Sequence, residues 1–118
     1  MGEYRNTTLD SVLGAVSDST RRAILARLAV ADARVTDVAA DFPISLNSVS
    51  KHVRVLERVG LVRREVRGRD HVLSLEAAPL AEVAEWIGFY QRFWEERLEA
   101  LEKFVKQKHK RPKKRKQR

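Results

Sequence analysis

Residues 45–75, SLNSVSKHVRVLERVGLVRREVRGRDHVLSL, set a helix and a hairpin end to end. Ser45 is a good N-cap, and Leu46, Val49, Val53, Leu56 and Val59 trace one apolar stripe at steps of three and four until Gly60 stops the helix. The opposite face reads Asn47, Ser48, Ser50, Lys51, Arg54 and Arg58, so one side is made for a core and the other is polar and basic. Residues 61–66 and 71–75 then read as two short strands about the turn Arg67-Gly68-Arg69-Asp70, where Gly68 supplies a positive φ. A hairpin directly after such a helix is a wing. Arg67 and Arg69 at its tip can reach phosphates or a minor groove.

Working back from this stretch, Thr36 can cap a short helix over about 37–41, which Pro43 ends. Two helices joined by the turn Phe42-Pro43-Ile44 match a helix-turn-helix whose second helix enters the major groove. Further upstream, Asp18, Ser19 and Thr20 form a capping cluster ahead of a helix in which Ile24, Leu25 and Leu28 share a face. Leu9, Val12, Leu13 and Val16 recur at helical spacing and give a short first helix, with Asp10 in its first turn. The fold class is therefore mainly α with a small β-hairpin.

SDSTRRAILARL at 17–28 and TDVAADFPISLNSVSKHVRVLERVGLVRREVRGRDHVLSL at 36–75 resemble the winged-helix repressors of the arsenic-repressor (ArsR) family. The resemblance covers about residues 9–105. It rests on Thr20-Arg21-Arg22 with Ile24-Leu25, on Val49-Ser50-Lys51-His52-Val53 with Val55-Leu56, on Gly60-Leu61-Val62, and on Gly68-Arg69 in the wing. Ser19 stands where the family often has Pro, which bears on a helix start and not on the DNA face. The resemblance implies a homodimeric bacterial transcription regulator, most often a repressor released by an inducer, with the terminal helices in the dimer contact. It also implies that Asn47, Ser48 and Lys51 contact base edges, since the early turns of a recognition helix reach deepest into the groove. Ser45, His52 and Arg54 are then phosphate contacts, although His52 beside Val53 equally suits a packed position on the helix flank.

Downstream, Pro79 suits a helix N1 position, and Leu80, Val83, Ile87, Tyr90, Trp94, Leu98, Leu101 and Val105 repeat by three or four over about 79–105. At about 1.5 Å per residue this helix runs roughly 40 Å, more than a body of this size can cover with its own core. Five of the eight aromatic residues (Trp86, Phe89, Tyr90, Phe93 and Trp94) fall on more than one of its faces. Leu9, Val12 and Val16 of the first helix, with Ile87, Tyr90, Trp94, Leu98 and Leu101, are the expected dimer contact. The aromatic patch is either interface alone or also a cleft for an apolar inducer of unknown identity.

The charge is uneven. Residues 106–118 hold nine Lys or Arg and no acid, whereas residues 1–105 hold fifteen basic and sixteen acidic side chains. Residues 45–78 carry seven bases against four acids, and 79–105 carry three against six. A tail so basic and free of apolar residues beyond 105 is expected to be disordered and to release counterions on meeting DNA, or merely to keep the chain soluble. The domain organisation expected is thus a flexible N-terminus over 1–8, a winged helix-turn-helix domain with a long C-terminal dimerisation helix over 9–105, and the basic tail over 106–118.

Other classes recede. With no cysteine, thiolate metal sites and a cysteine nucleophile are excluded. The three histidines fall on the recognition helix, a wing strand and the tail, so no metal site and no cofactor is expected. No nucleophile–base pairing or phosphate-cradling glycine loop points to an enzyme. No run approaches the roughly 20 apolar residues that span a bilayer, and the Met-Gly start lacks the Ser or Thr a myristoylation pattern needs at Asn6. The expected setting is the bacterial cytoplasm, at the nucleoid. The expected function is sequence-specific binding of double-stranded DNA at an inverted-repeat operator. A non-specific architectural DNA-binding role is the alternative, and protein–protein scaffolding a third.

Overall fold

The computed structural model describes residues 7–116 and divides into two units at Val83 and Ala84. The elements run α1 (Thr7–Ala15), α2 (Ser19–Val30), β1 (Ala33–Arg34), α3 (Val35–Ala40), α4 (Leu46–Arg58), β2 (Val62–Arg67), β3 (Asp70–Leu75) and α5 (Leu80–Lys116). Of the N-terminal stretch expected to be flexible, residues 1–6 lie outside the described residues, and residues 7–8 open α1.

Local chemistry sets where the helices begin. The Asp18 carboxylate accepts the Arg21 backbone N–H at 3.0 Å and caps α2, as the Asp-Ser-Thr cluster suggested. Ser45 caps α4 in the same way, its hydroxyl accepting the Ser48 N–H at 3.1 Å. The expectation for α3 is corrected. Arg34, not Thr36, holds the cap position, and it makes no side-chain cap bond. The reason is a strand the spacing did not reveal. Ala33 and Arg34 pair with Leu73 and Val72, so the chain passes straight from sheet into helix at Val35. The Arg34 guanidinium turns to Asp37 instead, at 3.0 and 3.2 Å.

The end of α4 fixes the entry to the wing. Gly60, at φ +82°, donates its N–H to the Glu57 carbonyl at 3.0 Å, and Leu61 donates to the Leu56 carbonyl at 2.9 Å. This paired pattern needs the left-handed residue that glycine supplies most cheaply. It also brings Leu56 and Leu61 into the core together, both fully buried. Burying each such leucine contributes about 1.5–3 kcal/mol. The chain leaves directly into β2.

The sheet has three strands in the order β1-β3-β2, all antiparallel, so the hairpin is one part of a slightly larger sheet. Its tip is the turn expected over 67–70, in which Arg67 and Asp70 pair and only Gly68, at φ +62°, and Arg69 lie between them, so that each strand reaches one residue further into the turn. The core collects Val12 and Ala15 of α1, Ile24, Leu25 and Leu28 of α2, Val38, the α4 stripe Val49, Val53 and Leu56, and Leu73 of β3. Leu80 and Val83, at the start of α5, pack against it.

In the second unit α5 continues as one helix to Lys116, past the boundary at 105 where disorder was expected. Lys, Arg and Gln are good helix formers, and cations near a helix C-terminus are favoured by its dipole, so composition alone did not exclude a helix here. The Glu102 carboxylate meets Lys106 at 3.7 Å, as its i,i+4 spacing suggests.

Candidate nucleic-acid interface

The burial of Val49, Val53 and Leu56 orients α4. Asn47, Lys51, Arg54 and Arg58, at steps of four, three and four, fall on the opposite side and are all exposed. No ion pair to Lys51 or Arg54 occurs among the described residues, so both charges remain available to a polyanion. Arg58, left out of the expected contact set, belongs to the same stripe.

The flanks of α4 differ. One carries Ser45, Ser48 and His52. The Ser45 hydroxyl donates to that of Ser48 at 3.0 Å, so Ser48 is half-buried and partly occupied by the cap. His52 is turned toward the start of α2, its Nδ1 lying 3.4 Å from the Arg21 guanidinium and 3.8 Å from the Asp18 carboxylate. It therefore takes the flank position rather than a place on the exposed stripe. The Asp18 carboxyl is held below the usual carboxylate range, first by the Arg21 backbone N–H, with the nearby charges of His52 and Arg21 adding to the effect against partial desolvation.

Arg21 and Arg22 do work that the sequence reading did not assign. Arg21 donates to the Ala15 and Gly14 carbonyls at 2.6 and 3.2 Å, and Arg22 to the Val16 carbonyl at 2.8 Å. These carbonyls lie at and just past the end of α1, where the Gly14 carbonyl also accepts the Ser17 backbone N–H at 3.3 Å and the Ser17 hydroxyl at 2.7 Å, so the two guanidiniums help close its C-terminus and tie it to α2. A pair of arginines shortly after a predicted helix was the available signal.

The other flank of α4, with Leu46, Ser50 and Glu57, faces the wing. An open cleft of about 220 Å³ lies there, lined by Arg34, Thr36, Leu46, Ser50, Arg64 and Arg69 among others. Two of its cations are already paired. Arg34 meets Asp37 and, at 3.7 Å, Asp70; Arg64 meets Glu57 through two hydrogen bonds of 3.0 and 2.8 Å. Each carboxylate favours the charged guanidinium and raises its pKa further. At the tip Arg67 pairs with Glu65, whereas no ion pair to Arg69 occurs among the described residues. Of the two expected tip cations, Arg69 is thus the one with its charge uncompensated.

The residues expected at the dimer contact separate into two groups. Val12 is fully buried in the core of its own chain and is withdrawn from that set; Val16 also packs on this core, and Leu9 is half-buried. Ile87, Tyr90, Trp94, Leu98 and Leu101 of α5 are 38–63% exposed. Trp86, Phe89, Phe93, Phe104 and Val105 extend the same apolar half of the helix and are exposed too. Trp86 and Tyr90 meet edge to face at 5.8 Å, and Phe89 and Tyr90 at 5.0 Å.

A recognition helix exposed along one stripe, preceded by a short helix and a turn and followed by a hairpin wing that completes a three-stranded sheet, defines a winged helix-turn-helix DNA-binding fold. A family model described as a helix-turn-helix domain matches residues 16–65, from just ahead of α2 into β2. The chain is 36% identical over 94 residues to the HTH-type transcriptional regulator Rv2034 of Mycobacterium tuberculosis, covering 80% of this chain and 83% of that protein. It is 32% identical over 79 residues to the transcriptional repressor SdpR of Bacillus subtilis, covering 67% of this chain and 88% of that one. The crystal structure of the ArsR family transcriptional regulator RHA00566 superposes with a TM-score of 0.69 at 35% identity, over 75% of this chain and 97% of its own. The protein belongs to the ArsR family of winged helix-turn-helix transcriptional regulators. That family acts by binding DNA rather than by catalysis. No described helix is long and apolar enough to cross a membrane.

Proposed function

We propose that this protein is a homodimeric, sequence-specific repressor that binds double-stranded DNA at an inverted repeat. The observation that carries the reading is the exposed stripe of α4, which offers Asn47, Lys51 and Arg54 opposite a buried apolar stripe and ends on a wing with an unpaired Arg69. Asn47 and Lys51 read base edges, with Ser48 contributing from the flank. Arg54, Arg58 and Ser45 meet phosphates, and Arg69 anchors the wing to the backbone or minor groove. His52 acts through its α2 contacts, and Arg67, shared with Glu65, contributes less than Arg69.

A second copy of the chain covers the apolar half of α5, with Ile87, Tyr90, Trp94, Leu98 and Leu101 at its centre. Symmetry then sets two recognition helices about one turn of DNA apart, roughly 34–36 Å. The relationship to SdpR favours repression over activation. An apolar inducer seated among the aromatic residues of α5 is compatible with this arrangement, and the regulator acts at the chromosome in the cytoplasm.

The nine basic residues of 106–118 favour a second reading, a coat that binds any duplex through counterion release. Selecting duplexes from a random pool, with the whole chain and with 106–118 removed, separates the two. A repressor enriches one inverted repeat and binds it about 10³-fold or more above random DNA at physiological salt, with or without those residues. Equal binding to every sequence would leave only the coat.

A further inference from the structure

We propose that Glu57 and Arg64 form a brace setting the wing at a fixed separation from the recognition helix, with Arg64 a positioning residue and not a phosphate contact. The proposal rests on the DNA-binding reading above and deepens it. Glu57 lies in the last turn of α4 and Arg64 in the middle of β2, on elements whose relative angle must suit two grooves at once. Arg64 Nε and one terminal nitrogen donate to the two carboxylate oxygens of Glu57 at 3.0 and 2.8 Å, while the other terminal nitrogen donates to His71 Nδ1 at 3.0 Å. Two parallel bonds fix orientation as well as distance, which a single ion pair does not. The third bond ties the same guanidinium across the hairpin to β3.

Both side chains are about three-quarters covered, at 26% and 27% exposed, so the pair is less screened by water than the other ion pairs of the wing. Arg34 and Asp70, at 3.7 Å, make a single looser contact, and Arg63 and Glu76, at 3.9 Å, another. Position gives the brace leverage. Arg64 sits opposite Leu73, in the core, and the tip begins three residues on at Arg67. At a strand rise of about 3.3 Å per residue, a tilt of about 10° at Arg64 moves the tip by about 2 Å, more than the margin of under about 1 Å within which Arg69 keeps or loses a hydrogen bond. Arg64 faces the cleft between α4 and the wing, where a basic residue invites assignment to a DNA phosphate. Its charge is matched by Glu57 and three of its N–H groups are engaged.

The two roles give opposite signs for one substitution. Glu57→Gln makes the protein more positive and frees Arg64; if Arg64 binds phosphate, or if only net charge matters, affinity for the selected duplex holds or rises. The brace requires it to fall, by about tenfold, with the protections given by α4 retained and those of the wing lost in footprinting. Arg64→Gln should lose a similar factor, the double variant no more than either, and neither should add much to the loss of Arg69→Ala. The swap Glu57→Arg with Arg64→Glu keeps net charge and restores most of the affinity, which guards against a single variant failing merely because it folds poorly. Amide exchange over residues 65–71 of the free dimer, without DNA, should quicken in Glu57→Gln. Unchanged exchange, affinity equal to or above wild type in Glu57→Gln, or a swap no better than the singles overturns the brace. A wild-type chain that prefers no duplex, with quickened exchange in Glu57→Gln, would instead overturn the DNA reading and keep the brace as a feature of the wing.

Discussion

Two helices of this chain, α4 and α5, carry apolar stripes at the same helical spacing and meet opposite fates. In α4, Val49, Val53 and Leu56 are fully buried, whereas Trp94 and Leu98 of α5 are 55% and 63% exposed. The difference is one of supply. The winged unit brings α2, α3 and β2 around α4, so its stripe is covered within the chain. The middle of α5, a single helix forming a unit by itself, keeps its apolar residues exposed, and an apolar surface of that extent is uncommon on a protein that works as a monomer. Periodicity therefore says which side of a helix avoids water, and the number of neighbouring elements decides whether the cover comes from the same chain.

The sharpest way to break this contrast is Trp94→Glu. A charge placed in the middle of the exposed stripe cannot be buried against a second copy without a large desolvation penalty, while the winged unit is untouched. Sedimentation equilibrium should show monomers with unchanged helix content, and affinity for an inverted repeat should fall by two or more orders of magnitude because the second half-site no longer helps the first. A Trp94→Glu chain that remains dimeric shows that the partner contact lies elsewhere.

How much could be read in advance follows the same division. The cap at Ser45, the stop at Gly60 and the turn at Gly68 are local, each decided by residues within about four positions, and each is found where the spacing put it, as are Val49, Val53 and Leu56 of the α4 stripe; Leu46, expected on that stripe, is instead exposed at the helix start. What escaped depends on long-range placement. A two-residue strand at Ala33 and Arg34 has no alternation to detect and exists only because β3 lies beside it. The bidentate pair of Glu57 with Arg64 joins two elements whose register is unknown until the hairpin is placed. Val12 shows the limit from the other side, since an apolar residue on a terminal helix reads the same whether its cover is its own core or a partner.

Removing residues 106–118 sharpens the contrast within α5 itself, between its apolar stretch and its basic end. Dimerisation should persist. The dependence of log affinity on log salt should flatten by about 0.9 for every phosphate no longer neutralised, and the preferred sequence should not change. A shifted preference would mean that the basic end reads bases.

Within the winged unit the comparison passes to α4 against the wing. Lys51→Ala should weaken binding to the preferred duplex by about 1–3 kcal/mol and relax discrimination at one position, while random DNA is affected much less. Arg69→Ala should weaken preferred and random duplexes alike and lower the salt slope by about one unit. Equal losses on both kinds of DNA for both variants would leave the helix no more discriminating than the hairpin.

The smallest expected effect tests the base of α4's flank, where Asp18 caps α2 beside His52. Because the folded environment lowers the Asp18 pKa, the carboxylate stabilises the native state above the ordinary carboxylate range, and that contribution fades as the pH falls through the folded value. Asn is a comparable N-cap without the charge, so Asp18→Asn keeps the start of the helix and removes only the titration. Thermal melts should separate the two proteins at neutral pH and bring them together as the pH falls below the ordinary carboxylate range and through the lowered folded value. A gap that stays constant over that range would mean that the hydrogen bond to Arg21, and not its charge, accounts for the cap, and that the contact with His52 transmits little between α2 and the recognition helix.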